Sequence, residues 1–214
     1  MEFIKAHQSN FKKGRTGKIE YIVIHYTANN GDTAKDNIDY YSNTPNLSSS
    51  AHFFVDENKV CKSVEEKDTA WHCGSKTYKH NECRNSNSIG IELCSLKNEK
   101  GEYYFNENTL NNASSLVKSL MAKYNIPLDN VIRHFDVTGK ICPAPMVNNL
   151  KAWDNFKKRL CSIETANDID YALKWKYNIT FDSVENEKEF ISLLEKEREK
   201  KSKLYWVFYK LANK

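Results

Sequence analysis

The stretch Ile19 to Thr27, IEYIVIHYT, is built of β-branched and aromatic side chains with little polar alternation. Such a run predicts a strand covered on both faces, and therefore a central strand rather than one at the rim of a sheet. Its histidine, His25, falls near the end of the run, where a side chain leaving the sheet edge faces a cleft rather than the core.

Working outward, Ala51 to Val55 and Val60 to Val64 flank the polar turn Asp56-Glu57-Asn58-Lys59 and predict a hairpin. Ser88 to Cys94 (SIGIELC) and Asn130 to His134 (NVIRH) predict two more short strands. Leu110, Ala113, Val117, Leu120 and Tyr124 recur at three- and four-residue steps, the apolar face of a helix that Pro127 forbids from continuing. A shorter helix is predicted from about Thr33 to Tyr41 with Asp32 as N-cap. Leu150, Trp153, Phe156 and Leu160 outline another after the Pro143-Ala144-Pro145 break. Strands interleaved with helices imply an α/β domain over residues 1–161, a mixed central β-sheet flanked by helices.

From Ser162 onward the pattern changes. Ile169 to Trp175, Phe190 to Leu194 and Leu204 to Leu211 suggest short helices, so residues 162–214 form a small C-terminal helical segment. Its charge run Glu195 to Lys203 reads as a solvated helix face.

Hydrophobic residues at 40% and charged residues at 28% are ordinary for a globular chain and speak against disorder. A net charge of +4, scattered along the sequence, is too weak to argue for a nucleic-acid partner, though it suits an anionic polymer. No run reaches the length of a membrane span, and Met1 to Asn10 shows no secretory leader. The expectation is a protein made in the cytoplasm and soluble there, with neither nucleic acid nor membrane as partner.

The six cysteines show no CxxC spacing, so most are expected as buried free thiols, with a Cys73–Cys83 bridge left open for an oxidising setting. Cys142 is different. It lies eight positions after His134 in RHFDVTGKICPAP (Arg133 to Pro145), around a glycine-containing loop. Imidazole and thiolate are both good zinc ligands, and two on one loop leave other positions to distant strands. With His25 they would make three ligands, the open arrangement of a catalytic zinc.

At this point the chain resembles the zinc-dependent N-acetylmuramoyl-L-alanine amidases, which include amidase-type phage lysozymes, bacterial autolysins and animal peptidoglycan recognition proteins. The landmarks are IVIHYT (Ile22 to Thr27), SSAHFFVD (Ser49 to Asp56), DTAWHCG (Asp68 to Gly74), NSIGIEL (Asn87 to Leu93) and the RHFDVTGKICPAP loop, in that family's order. They cover roughly Ala6 to Trp153. The resemblance implies Zn2+ held by His25, His134 and Cys142, and a catalytic pair on Glu92 and Lys140. It implies a peptidoglycan substrate cut between N-acetylmuramic acid and L-alanine, with wall lysis as the outcome. It also suggests His52, His72 and Asn87 as substrate-binding positions, while structural hydrogen bonding explains the two histidines equally and a turn explains the asparagine.

One departure matters. Some phage members carry a catalytic Tyr just before the hairpin histidine, whereas this chain has Ala51, which moves no protons. The general base is therefore expected to be Glu92, with the Lys140 ammonium beside the developing oxyanion. Lacking a leader, a phage-type endolysin or prophage-derived autolysin would reach the wall only after release from the cytoplasm, as holins release phage endolysins. Two alternatives stand beside this reading: a non-catalytic peptidoglycan-binding protein, and a thiol peptidase with Cys142 as nucleophile and His134 as base.

Overall fold

The computed structural model describes residues 1–161 and 184–199. Its principal sheet runs, in order, β1 (Glu2–Phe3), β5 (Val60–Lys62), β4 (Phe53–Val55), β7 (Ser88–Leu93), β3 (Tyr21–Tyr26) and β10 (Val131–Arg133). From β4 to β10 neighbouring strands are parallel, while β5 returns antiparallel to β4 through the expected hairpin. The sheet is thus mixed. Two small pairs stand apart from it, β2 (Phe11–Lys12) with β6 (Thr69–Ala70) and β8 (Leu96–Lys97) with β9 (Tyr103–Tyr104).

Strand β3 is interior, as expected, although it lies next to the edge strand rather than in the middle; β7 has the more central place. Both faces of β3 are covered. Ile22 and Ile24 join Ile89, Ile91, Leu93, Phe53 and Val55 in the main core, because side chains two apart leave a strand on one face. Tyr21 and Val23 leave on the other, packing with Cys73, Cys83, Ile132 and Val137.

Helix α2 (Glu107–Tyr124) lays Ala113, Leu116, Val117 and Leu120 on the main core. Asn106 caps its first turn, and Asn125, left-handed at φ 56°, ends it two residues before Pro127. The helix after β3, α1 (Ala34–Asn43), differs from expectation at its start: Thr33 is the N-cap, in a reciprocal capping box with Asp36. Asp32 instead receives hydrogen bonds from the side chains of Thr27, Asn29 and Asn37, pinning the loop that leaves β3.

The stretch expected as a loop between His134 and Cys142 contains α3 (His134–Thr138), and α4 (Ala144–Val147) follows it before α5 (Leu150–Cys161). Phe156 and Leu160 of α5 complete the main core. In the C-terminal segment α6 (Val184–Glu199) spans the predicted Phe190 to Leu194, and Glu195 and Lys196 are exposed as the charge run requires. The other two predicted helices lie outside the described residues. Among those described, no helix is long and apolar enough to cross a membrane.

Candidate metal centre and cleft

The parallel strands set the site. His25 on β3 is the register partner of Glu92 on β7, and Glu92 that of Phe54 on β4. The three therefore leave the sheet side by side, on the face opposite Ile24, Ile91 and Val55. His25 and Glu92 each stand one residue before the end of their strand, at the carboxyl edge where open α/β sheets bind ligands.

His134 enters from the next strand. It follows Arg133, the last residue of β10, and opens α3. Arg133 locks this junction: its guanidinium holds Asp136 at 2.8 and 2.9 Å, donates to the Met146 carbonyl at 2.9 Å, and lies over the Trp153 ring. Gly139 then ends α3 at φ 84°, a conformation that a side chain would strain, and the Phe135 N–H donates to the Cys142 carbonyl at 2.8 Å. That bond closes the turn and brings Cys142 back beside His134.

His25, His134 and Cys142 consequently converge, all buried, with one potential ligand atom of each within 4.8 Å of the others. Cys142 Sγ lies 3.7 Å from His25 Nδ1, and the two imidazole centroids are 4.6 Å apart. His134 Nδ1 is buried with no hydrogen-bond partner. An orphaned imidazole nitrogen beside a second imidazole and a thiol is what a metal cation would satisfy, so the donor set fits a metal.

Burial lowers the basicity of both rings. It holds His25 well below the ordinary histidine range, and His134, with Lys140 adding to the effect, falls to about 4. Both are neutral, the form that ligates metals. Burial, aided by Glu92, pushes the Cys142 thiol up to about 12. A thiol nucleophile is favoured by the opposite shift. Glu92 Oε1 is 3.9 Å from His25 Nδ1, while its Oε2 is buried without a partner. Burial raises this carboxyl to about 8, against the pull of Lys140.

The cluster floors a cleft of about 670 Å³, with Tyr40, Tyr41 and Trp71 on its walls and Lys140 exposed at its mouth. A second recess, about 700 Å³, continues past His134 and Lys140 toward Gly74 and Asn85. The two share Trp71, His72, His134 and Lys140, so one groove crosses the cluster.

Of the three positions suggested for substrate, only His72 lines this groove. His52 lies behind it, fully buried: Nδ1 accepts from the Gly90 N–H at 3.0 Å, and Nε2 meets the Asp68 carbonyl and Arg15. Asn87 closes a turn instead, accepting from the Arg84 N–H at 2.7 Å and donating to the Glu82 carbonyl at 3.2 Å. Asn85 was the residue sequence reasoning missed. Its Oδ1 receives the N–H groups of His72 and Cys73, tying the second recess to the DTAWHCG segment. Nothing in its local sequence distinguishes it from Asn87. Cys73 and Cys83 are buried free thiols packed together, without a bridge.

The sequence profile of the N-acetylmuramoyl-L-alanine amidases matches residues 15–145. The N-acetylmuramoyl-L-alanine amidase CwlL of Bacillus licheniformis is 32% identical over 173 residues, 75% of this chain and 46% of that protein. The chain thus spans about half the length of the curated relatives it matches. Among solved structures, PlyL superposes with a TM-score of 0.63 at 28% identity, covering 77% of this chain and 99% of that one. A mutant endolysin from Bacillus subtilis gives 0.58 at 32% identity, covering 74% and 97%. With the profile covering more than half of its length and its landmarks gathered around one buried cluster, the chain belongs to the N-acetylmuramoyl-L-alanine amidase family.

Proposed function

We infer that this chain is a zinc hydrolase of bacterial peptidoglycan, cutting the amide between the lactyl group of N-acetylmuramic acid and L-alanine. The observation that carries the reading is the convergence of His25, His134 and Cys142 at the floor of a groove whose wall holds a carboxyl, Glu92, with an unpartnered oxygen. His25 and His134, through nitrogens free of other bonds, and Cys142, through its thiolate, would hold the metal. Zinc bound there supplies Lewis acidity, which lowers the pKa of water and polarises a carbonyl.

The remaining work falls to the chain's own groups. Glu92 takes a proton from the attacking water as its oxygen bonds to the lactyl carbonyl carbon. Burial raises this carboxyl and Lys140 draws it back, which makes it a stronger base than a free carboxylate. Lys140, exposed at the cleft mouth, brings an ammonium to the negative charge that develops on the carbonyl oxygen. The carbon–nitrogen bond then breaks, and Glu92 returns its proton to the alanine nitrogen. Tyr40, Tyr41 and Trp71 offer faces against which sugar rings or peptide can rest.

The protein acts, on this reading, at the wall rather than where it is made, and residues 162–214 serve to hold it there. The direct test is mass spectrometry of purified peptidoglycan digested with the pure protein. Free muramic lactyl carboxylates paired with new alanine amino termini support the proposal; cuts only between stem-peptide residues or between sugars refute it, and intact polymer that is bound without cleavage favours a receptor.

A further inference from the structure

Ser88 opens strand β7, and its hydroxyl donates to the Arg84 carbonyl at 2.6 Å. That proton is thereby used. The Ser88 oxygen can meet His72 Nε2, 3.0 Å away, only as an acceptor, so His72 carries its hydrogen on Nε2. With its hydrogen on Nε2, His72 offers Nδ1 as the acceptor, and that atom lies 3.0 Å from His25 Nε2. His25 must donate from Nε2, which leaves its Nδ1 without a hydrogen, facing Cys142 Sγ at 3.7 Å.

We propose that His72 is a positioning residue for the metal centre, fixing the tautomer and tilt of His25 through the relay His25–His72–Ser88–Arg84 carbonyl. The proposal rests on the metal reading of His25, His134 and Cys142 given above. Imidazole ligands commonly donate their second nitrogen to an outer partner that sets their orientation, and here another imidazole takes the place of the usual carboxylate or carbonyl. The two rings meet edge to face at 88°, so the bond defines the plane of His25 as well as its proton.

A second, independent observation comes from Gly90. A Cβ built there would lie 2.4 Å from His72 Cγ and 2.7 Å from its Nδ1. Strand β7 therefore passes directly under the imidazole, and the glycine in the middle of SIGIEL makes the space in which the ring sits. A Cβ at position 90 meets His72 and not a ligand, so a side chain there displaces the residue that orients one of them.

The test uses the full-length protein stripped of metal and titrated with zinc against a competing chelator, and with cobalt for its absorption spectrum. His72→Leu is expected to weaken zinc about 10- to 100-fold and to alter the cobalt bands. His72→Asn, whose Oδ1 can stand where Nδ1 stood, should recover most of the affinity; His72→Gln, whose amide reaches only the Ser88 end, should not. Gly90→Ala should resemble His72→Leu. Melting of each metal-free variant is measured first, and if the leucine variant does not fold, the asparagine against glutamine contrast decides. Equal affinities for asparagine and glutamine, or a wild-type cobalt spectrum in the leucine variant, overturn the proposal. Should the wild-type protein bind neither ion, the metal reading itself fails, visibly and before any variant is made, and the positioning role falls with it.

Discussion

His25 and Glu92 are register partners on adjacent parallel strands, with Nδ1 and Oε1 3.9 Å apart on the same face of the sheet. That separation is too long for a hydrogen bond and leaves room for something between them. Burial holds the imidazole neutral and raises the carboxyl, so the pair gains no ion-pair stabilisation as it stands. An arrangement that costs stability at the floor of a cleft is expected where function requires it.

The first consequence concerns Cys142. A serine hydroxyl is a far poorer metal ligand than a thiolate, so Cys142→Ser should bind zinc at least tenfold more weakly and lose nearly all turnover. Elemental analysis of the purified wild type should give about one zinc per chain. A fully active serine variant would contradict the metal site; inactivation by alkylating reagents with no sensitivity to chelators would bring back the thiol peptidase.

Glu92→Gln should preserve the fold and the metal while slowing turnover on the order of a hundredfold or more, since the amide accepts no proton. The same variant has a pH signature in the metal-free protein. A carboxyl raised from 4.5 to about 8 binds its proton more tightly folded than unfolded, so wild type loses stability as pH rises between those values. The glutamine variant lacks that loss. Thermal melts from pH 4.5 to 8 should therefore show the variant gaining on wild type, and parallel curves would argue against the burial of this carboxyl.

Lys140→Ala removes an exposed ammonium that stands outside the cluster of potential ligands. It should leave zinc affinity within a few-fold and lower kcat more than KM, the pattern of an interaction made mainly in the transition state. A pure rise in KM would reassign Lys140 to substrate binding.

Away from the site, Glu66 gathers Lys123 at 2.6 Å, Lys62 at 3.1 Å and the Tyr124 hydroxyl, tying α2 to the hairpin. Burial alone would raise this carboxyl, but those hydrogen bonds outweigh it and leave it lowered. Its contribution is thus present above the ordinary carboxylate range and lost as pH falls through its folded pKa. Glu66→Gln should cost about 1–2 kcal/mol at pH 7, and the difference should shrink toward pH 3. A difference independent of pH would mean that packing, not charge, is what the variant removes.

Residues 162–214 carry aromatic side chains, Trp175, Tyr205, Trp206 and Tyr209, and balanced charge. If they target the wall, a chain ending at Ser162 should cleave soluble muropeptides normally and bind whole walls less. Unchanged wall binding would sink the targeting role, and aggregation of the shortened chain would assign the segment to stability.

Much of this was legible in the sequence, for local reasons. IEYIVIHYT and SIGIELC are long enough for pattern to declare them strands, and the landmarks around them point to His25, Glu92, His134 and Cys142. Their pairing was not legible, because register between β3 and β7 depends on residues more than sixty positions apart. Nor does sequence separate His52 from His72: both sit in landmarks, and only the fold closes Arg15, the Asp68 carbonyl and the Gly90 N–H around the first. Two-residue strands such as β2 and β6 give no period to read. The α1 cap was readable, since Thr33 to Asp36 is a capping-box spacing, but the neighbouring Asp32 competes as a cap by residue type alone.

The turn closed between Phe135 and Cys142 joins two members of the cluster that are close in sequence, while His25 lies 117 positions before the cysteine. During synthesis from the N-terminus, His25 and Glu92 both precede the other two donors in the chain. The last edge strand, β10, and the turn behind it are what deliver the other two donors. If the cluster is the proposed metal centre, a chain that stops short of residue 142 lacks a donor and should neither hold the metal nor act on a wall.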